Sequence, residues 1–261
     1  MRTNELQHQF EKYLESIEHS SDEVKAAETI QKMLLDDEIP ACSELSCLGL
    51  SIPAYRLSGD YYDFIYDERN GRYWILIGDV MGKGIPASLL MVMVRSTVRI
   101  LTNFSRTPSE LVWQLNNSLQ KDMTRLHAFS TLFCGVFHVG SGEFTYTSAG
   151  HPNPILMRAN EERSIKLEAK GTVIGLLKNR QYRDFTVPFS TGDVLVLCTD
   201  GVLEAMDTNK NQYGYHNLKQ AIEEKKGQSL LELIQHITDD VRCFSRSYRR
   251  DDVTIVAVRR M

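Results

Sequence analysis

The run YWILIGDV, from Tyr73 to Val80, narrows the choice of fold more than any other stretch of this chain. Its aromatic and β-branched residues read as a buried strand. Asp79 interrupts the apolar pattern near the strand's end, where a charge is expensive unless something compensates it. Directly behind it Gly82 and Gly84 flank Lys83, and an apolar helix pattern begins near Pro86. The strand therefore calls for a sheet whose edge meets a glycine turn, a helix and a counter-charge for one carboxylate.

From about residue 48 onward, strand and helix patterns mix without a regular βαβ alternation. Strand candidates are Gly49–Tyr55, Asp60–Tyr66, Tyr73–Val80, Thr131–Val139, Phe144–Ala149, Asp184–Phe189, Val194–Thr199 and Val253–Val258. Asn70-Gly71, between two of them, is a hairpin signal. Helix candidates begin near Pro86, Pro108, His216 and Leu230. The first is expected to bury Leu89, Leu90, Met93, Val94, Thr97 and Leu101, with Met91 and Met93 as core filler. Thr107, Pro108 and Glu110 supply the second with a cap, a first-turn proline and a capping-box acid. Hairpin-like strands grouped apart from helices indicate an α+β fold with packed layers.

A seam at residues 36–48, DDEIPACSELSC, interrupts the helical pattern. Before it Phe10, Ile17 and Val24 occupy one heptad position, and Leu6, Tyr13, Ala27 and Leu34 the other. Ser20 with Glu23 resembles a capping box that divides this segment into two helices. The domain reading is a helical lead-in over residues 1–40, packed on its own domain or paired with a second chain, followed by one domain over residues 41–261.

Composition excludes several classes. At 261 residues the chain suits one large domain with a short appendage. A net charge of -4 gives no bulk electrostatic reason to expect nucleic acid. No apolar run reaches the roughly 18 residues of a membrane span, and MRTNELQHQF lacks a signal-peptide core. The five cysteines (Cys42, Cys47, Cys134, Cys198, Cys243) are odd in number without C-x-x-C spacing, which reads as free thiols in a cytoplasmic protein.

Two nucleotide motifs fail at the glycine turn. Gly78 to Lys83 is one residue short of a P-loop, and Gly84 stands where that motif has Ser or Thr. GKGIPA matches G-x-G-x-x-A, but a dinucleotide site wants an acid about 20 residues further on. The chain there reads RILTNFSR.

Asp79 has company. Asp60 opens an apolar-aromatic segment, Asp200-Gly201 ends the buried run after Val194, and Asp251-Asp252 precede the final alternating strand. Aspartate initiates turns, which accounts for any one such site. Four sites at the ends of strands packed together would repel one another unless cations hold them. Carboxylates and backbone carbonyls are the ligand set of Mg²⁺ and Mn²⁺ rather than zinc. The residue pattern leaves turn chemistry and a divalent-metal site both open.

The ordered set SGDYYDF, IGDVMGKGIPASLL, SAGHPNPIL, GTVIGLL, LCTDGVLEA, YG and RDDVTIVAVR resembles the bacterial serine phosphatases of the stage II sporulation protein E and RsbU type. These are a branch of the metal-dependent protein phosphatase 2C family. The likeness covers roughly residues 45 to 260, and AETIQKMLLDDEIP resembles the helix leading into that domain. It implies a four-layer α-β-β-α sandwich with two ions, Mn²⁺ or Mg²⁺, at one edge. By the same resemblance Asp79 would bridge both ions, the Val80 carbonyl would help hold one, and Asp200 and Asp251 would complete the other. Asp60 would act directly or through water, which with Asp79 makes the catalytic pair. Asp252, where relatives often carry Asn, and Gly201 would stand beside the ligands. Arg56 falls near a phosphate-binding arginine of eukaryotic relatives. Ser58 stands where many relatives have Gly, expected as a mild change. Met81 stands where eukaryotic relatives have a histidine proposed as general acid, which puts proton delivery in doubt. His151 lies in a family motif that turn structure explains as well as chemistry does.

The activity so implied is direct hydrolysis of phosphoserine or phosphothreonine on a protein, with no covalent intermediate. The implied substrate is a phosphorylated anti-anti-sigma factor with a STAS domain, in a partner-switching pathway that controls a sigma factor in stress response. About 40 leading residues are too few for a sensor module, so the chain is expected either to be a fragment of a longer regulator or to depend on an upstream activator; a homodimer through the heptad seam of the N-terminal helix is a further expected partner. The competing readings are a catalytically silent switch on the same fold and a metal-dependent hydrolase of small phosphates.

Overall fold

The computed structural model describes residues 22–35, 38–245 and 251–261. The chain divides into two units, Met1–Asp37 and Glu38–Met261. In the first, residues 22–35 form helix α1. Val24, Ala27 and Leu34 fall along one side of it by helical periodicity. Leu6, Phe10, Tyr13, Ile17 and Ser20, which the heptad and capping expectations used, lie outside the described residues.

The second unit is built on two five-stranded antiparallel sheets. One comprises β1 (Leu45–Ile52), β10 (Val253–Arg260), β9 (Val194–Cys198), β6 (Ile155–Met157) and β7 (Ile165–Lys166), in that spatial order. The other runs β2 (Asp60–Asp67), β3 (Arg72–Val80), β4 (Ser130–His138), β5 (Glu143–Ala149) and β8 (Phe185–Pro188). Side chains alternate across each strand, so each sheet has two faces to cover. Between the sheets, Tyr73, Ile75 and Ile77 of β3 and Phe133 and Phe137 of β4 pack with Leu195 and Leu197 of β9 and Val256 and Val258 of β10. The outer face of the first sheet, with Val196, Cys198, Ile255 and Ala257, is covered by α5 (Gly214–Glu224) and α6 (Leu230–Ser245) through Leu218, Ile222, Leu233, Ile234 and Ile237. On the other side, α2 (Ile85–Leu101) and α3 (Pro108–Arg125) lie on the second sheet, where Trp74 and Leu76 are wholly buried. The result is the expected α-β-β-α order of layers.

The local signals are realised with instructive shifts. Thr107 caps α3 by accepting from the Glu110 amide, and Pro108 fills the first turn. The Glu110 carboxylate bonds the Arg106 amide at 2.7 Å, one residue before the cap. The hairpin between β2 and β3 turns through Glu68–Asn70 and Gly71, whose φ of 59° is left-handed. Strand β1 starts four residues before Gly49 because it pairs along its full length with β10, from Leu45 opposite Arg260 to Ile52 opposite Val253. Strands β6 and β7 are too short to carry a periodic signal. Helix α2 buries Val94 and Met91 as expected, but its face is rotated from the one expected: Ala87 and Val98 are buried with them, Leu90, Met93, Thr97 and Leu101 are only partly buried, and Leu89 is 67% exposed. Its first turns, IPASLLMVMV, are apolar all round, so periodicity cannot choose a side there. All five cysteines are free thiols. Among the described residues no helix is long and apolar enough to cross a membrane.

Candidate active site

The two sheets bring their carboxylates together at one end. Asp60 opens β2 and sits directly opposite Asp79 in the antiparallel register with β3. Side chains of such a facing pair stand about 5 Å apart at Cβ. On the other side of β3, Thr131 and Ser130 of β4 face Asp79 and Val80, and the Ser130 hydroxyl donates to the Asp79 carbonyl at 3.0 Å. From the other sheet, β9 ends at Cys198, Thr199 precedes a short helix α4 (Asp200–Leu203), and Asp251 and Asp252 lead into the adjacent β10. The Thr199 amide donates to the Thr254 carbonyl at 3.0 Å, which sets the starts of α4 and β10 side by side. Their approach is close enough that a Cβ on Gly201 would come within 1.9 Å of the Asp252 carbonyl oxygen. The Thr199 hydroxyl crosses between the sheets and donates to Asp60 Oδ2 at 2.8 Å.

Crowding shows in the acid strengths. Burial, then the charges of Asp200, Asp251 and Asp252, push the Asp79 carboxyl up to about 7. Asp60 is held well above the usual carboxylate range, chiefly by burial and next by Asp79. The two carboxyls act on each other's acidity across this facing pair. Asp200 is raised by burial, then by Asp251 and Glu204. Lys83 offers a local counter-charge, with Nζ 2.8 Å from Asp251 Oδ1.

These groups suit a hard divalent cation, since every donor is a carboxylate or carbonyl oxygen and their repulsion is what a cation would relieve. Among the described residues, however, no three acidic, imidazole or thiol side chains already stand together as a metal-binding group.

The opening turn is glycine-rich for a reason other than close approach. Gly82 and Gly84 have φ of 99° and 69°, where other L residues are strained, while a Cβ on either would meet nothing within 4 Å. Met81 is 42% exposed. Arg56 is exposed on the β1–β2 loop and makes no hydrogen bond or ion pair with the described residues. Ser58, expected as a mild change, is completely buried; its hydroxyl donates to Asp252 Oδ2 at 2.7 Å and accepts from the Asp60 amide at 3.0 Å. Asp252 also accepts from the amides of Ala54 at 2.7 Å and Gly59 at 2.8 Å.

Sequence reasoning passed over Thr199, Ser130, Thr131 and Lys83. The available signal for Thr199 was its place before Asp200-Gly201: an N-cap threonine whose side chain makes no cap hydrogen bond, because it serves Asp60. His151 reaches this edge through a 2.8 Å contact of Nδ1 with the Thr131 hydroxyl. Burial pushes its imidazole down to about 3, so it is neutral at ordinary pH and cannot serve there as a cationic acid.

Two antiparallel sheets between helical layers, with acids gathered at one edge, define the protein phosphatase 2C class of fold. The SiaA-PP2C domain of Pseudomonas aeruginosa shares it with a TM-score of 0.81 at 20% identity, over 94% of this chain and 97% of that one. The chain belongs to the stage II sporulation protein E (SpoIIE) family, whose profile matches residues 69–261. It is 32% identical over 238 residues to phosphoserine phosphatase RsbU of Bacillus subtilis, covering 91% of this chain and 70% of that protein. Protein IcfG of Synechocystis sp. is 25% identical over 272 residues, with 91% of this chain matched to 41% of that protein. The chain thus spans well under half the length of the second relative.

Proposed function

We propose that this protein is a metal-dependent protein serine/threonine phosphatase acting on a phosphorylated anti-anti-sigma factor of the STAS type, within a cytoplasmic partner-switching pathway that controls a sigma factor. The observation that carries the reading is the approach of Asp60, Asp79, Asp200 and Asp251 from two sheets, with Asp79 driven up to about 7 by burial first and then by the charges of its neighbours. Identity with a phosphoserine phosphatase over most of the chain supports the choice of reaction. Residues 1–40 are read as a lead-in that answers to an activator or a second chain, and residues 41–261 as the catalytic domain.

In this reading Asp79, Asp60, Asp200, Asp251 and the Val80 carbonyl are the groups that would hold the cations, Mn²⁺ or Mg²⁺. When bound, such ions supply an activated water nucleophile and stabilise an in-line displacement at phosphorus. The protein's own residues orient and neutralise. The Ser130 hydroxyl fixes the Asp79 carbonyl, Thr199 fixes the Asp60 carboxylate, and Lys83 gives Asp251 a counter-charge at 2.8 Å. Arg56, exposed and without a hydrogen-bond or ion-pair partner among the described residues, would take two phosphate oxygens through its planar guanidinium. Met81 has no proton to give and buried His151 is neutral, so the leaving serine oxygen draws its proton from water.

The test is hydrolysis of an intact phosphoprotein of the STAS type against a panel of nucleotides and small phosphate esters, each with Mn²⁺ and with chelator. Manganese-dependent turnover of the phosphoprotein alone is the expected result. Preference for small esters favours a general phosphate hydrolase, and no turnover of either favours a silent switch.

A further inference from the structure

One carboxylate of the acid edge is already engaged by the protein itself. Asp252 is buried, and three donors of a single loop converge on it: the Ala54 amide on Oδ1, and the Ser58 hydroxyl and Gly59 amide on Oδ2. The loop belongs to the connection from β1 to β2, and Asp252 introduces β10 almost two hundred residues away in the chain. A carboxylate accepting three well-placed hydrogen bonds already has much of its acceptor capacity filled. The same loop leads straight into Asp60, whose own amide donates to Ser58 Oγ at 3.0 Å. The route from Asp252 to Asp60 is therefore short and continuous: carboxylate, Ser58 hydroxyl, Asp60 backbone.

We propose that Asp252 is a positioning residue that closes the loop Ala54–Gly59 and, through Ser58, fixes the backbone of Asp60 so that its carboxylate meets Asp79. The inference rests on the proposed metal-dependent reading of the site. On this view the first sheet holds Asp60 twice, by Asp252 at the start of β10 through Ser58 and by Thr199 at the end of β9 directly on the carboxylate. Closing the loop also brackets Tyr55 and Arg56, both exposed, between two hydrogen-bonded anchors. The loop then presents them to solvent in a set orientation beside the acid edge.

Ser58→Ala and Asp252→Asn in the full chain separate this role from a simple loop cap. Ser58→Ala removes one hydroxyl and keeps every charge, so any effect on cation binding is geometric. Asp252→Asn replaces one acceptor oxygen by an NH₂ that faces N–H or O–H donors. Mn²⁺ titration by calorimetry is the first readout, and amide exchange of residues 54–60 in chelator is the second. Losing the support of a ligand typically weakens metal binding about 10- to 100-fold. We expect Ser58→Ala at the low end and Asp252→Asn further along, with faster exchange in residues 54–60 and unchanged protection in β3 and β4. Folded Ser58→Ala protein with a Mn²⁺ Kd within about twofold of wild type overturns the proposal, whatever happens to its melting temperature, since a loop cap alone changes stability and not affinity. Wild-type protein that takes up no Mn²⁺ overturns the metal-dependent reading beneath it. If Asp252→Asn does not fold, Ser58→Ala still decides.

Discussion

Replacing Asp79 by Asn should stabilise the metal-free protein while abolishing its response to metal. In the absence of cations the Asp79 carboxyl is driven from 3.8 to about 7, mainly by burial and then by Asp200, Asp251 and Asp252. A folded-state pKa above the unfolded one means the native protein holds a proton that the unfolded chain has released. Stability from this group is therefore full below pH about 4, falls as pH rises through the window to about 7, and stays lost above it. At about 1.36 kcal/mol per pH unit the displacement corresponds to at most roughly 4 kcal/mol. Because Asp60 shares the neighbourhood and any proton between them, about half of that, roughly 2 kcal/mol, is the realistic relief on removing one charge. Asparagine keeps the shape, and its amide can donate to Asp60 without taking up a proton.

The assay is thermal melting of wild type and Asp79→Asn in chelator at pH 5, 7 and 8.5. For a domain of this size, about 2 kcal/mol moves Tm by roughly 4–8 °C. The variant should melt close to wild type at pH 5 and above it at pH 8.5. In saturating Mn²⁺ the order reverses. Wild type gains about 2.7 kcal/mol at a hundredfold excess over Kd, whereas Asp79→Asn, without its shared ligand, gains far less. Acid should erase the wild-type gain, since protonated carboxylates release metal. A variant that melts well below wild type in chelator at pH 8.5, yet responds fully to Mn²⁺, refutes the reasoning: Asp79 would then be an ordinary structural aspartate.

Other consequences are open to direct measurement. Lys83→Met frees Asp251 from its ion pair, and a half-exposed pair of this kind is worth up to about 1 kcal/mol; Mn²⁺ should bind up to about fivefold more tightly, and weaker binding by calorimetry would count against competition between lysine and cation. Arg56→Ala should raise KM for the phosphoprotein with little change in Mn²⁺ Kd, and an unchanged KM removes Arg56 from phosphate recognition. The intact phosphoprotein should show a higher kcat/KM than a short phosphoserine peptide from the same sequence; parity would argue against docking beyond the phosphate. Met91→Ala, emptying a fully buried site on α2, should cost about 2–5 kcal/mol in denaturant melts, whereas Leu89→Ala on the exposed face should stay within about 0.5 kcal/mol; equal losses would mean the helix face is misassigned.

What could be read from the residues divides by the range of the interaction that fixes each one. Strand cores such as Tyr73–Val80 and Val194–Cys198 were legible because burial on a sheet is written in composition over a few neighbouring residues. The capping of α3 was legible for the same reason, its partners lying within four residues. The aspartates stood out because charge at the end of an apolar run is locally improbable. Helix α2 misled because its first turns are apolar on every side, so only the tertiary neighbour chooses between Leu89 and Met91. The supporting hydroxyls were invisible for a stronger reason. Thr199 and Asp60 are separated by 139 positions, and Ser58 and Asp252 by 194; nothing in the local sequence of either member announces the other. A serine in a loop and a threonine before a helix each have an ordinary local explanation, as turn former and N-cap. Only the meeting of the two sheets converts them into the fittings that hold Asp60. The acids of such an edge can thus be proposed from sequence, while the geometry that makes them a site resides in small polar side chains whose roles exist only once β2 and β10 have come together.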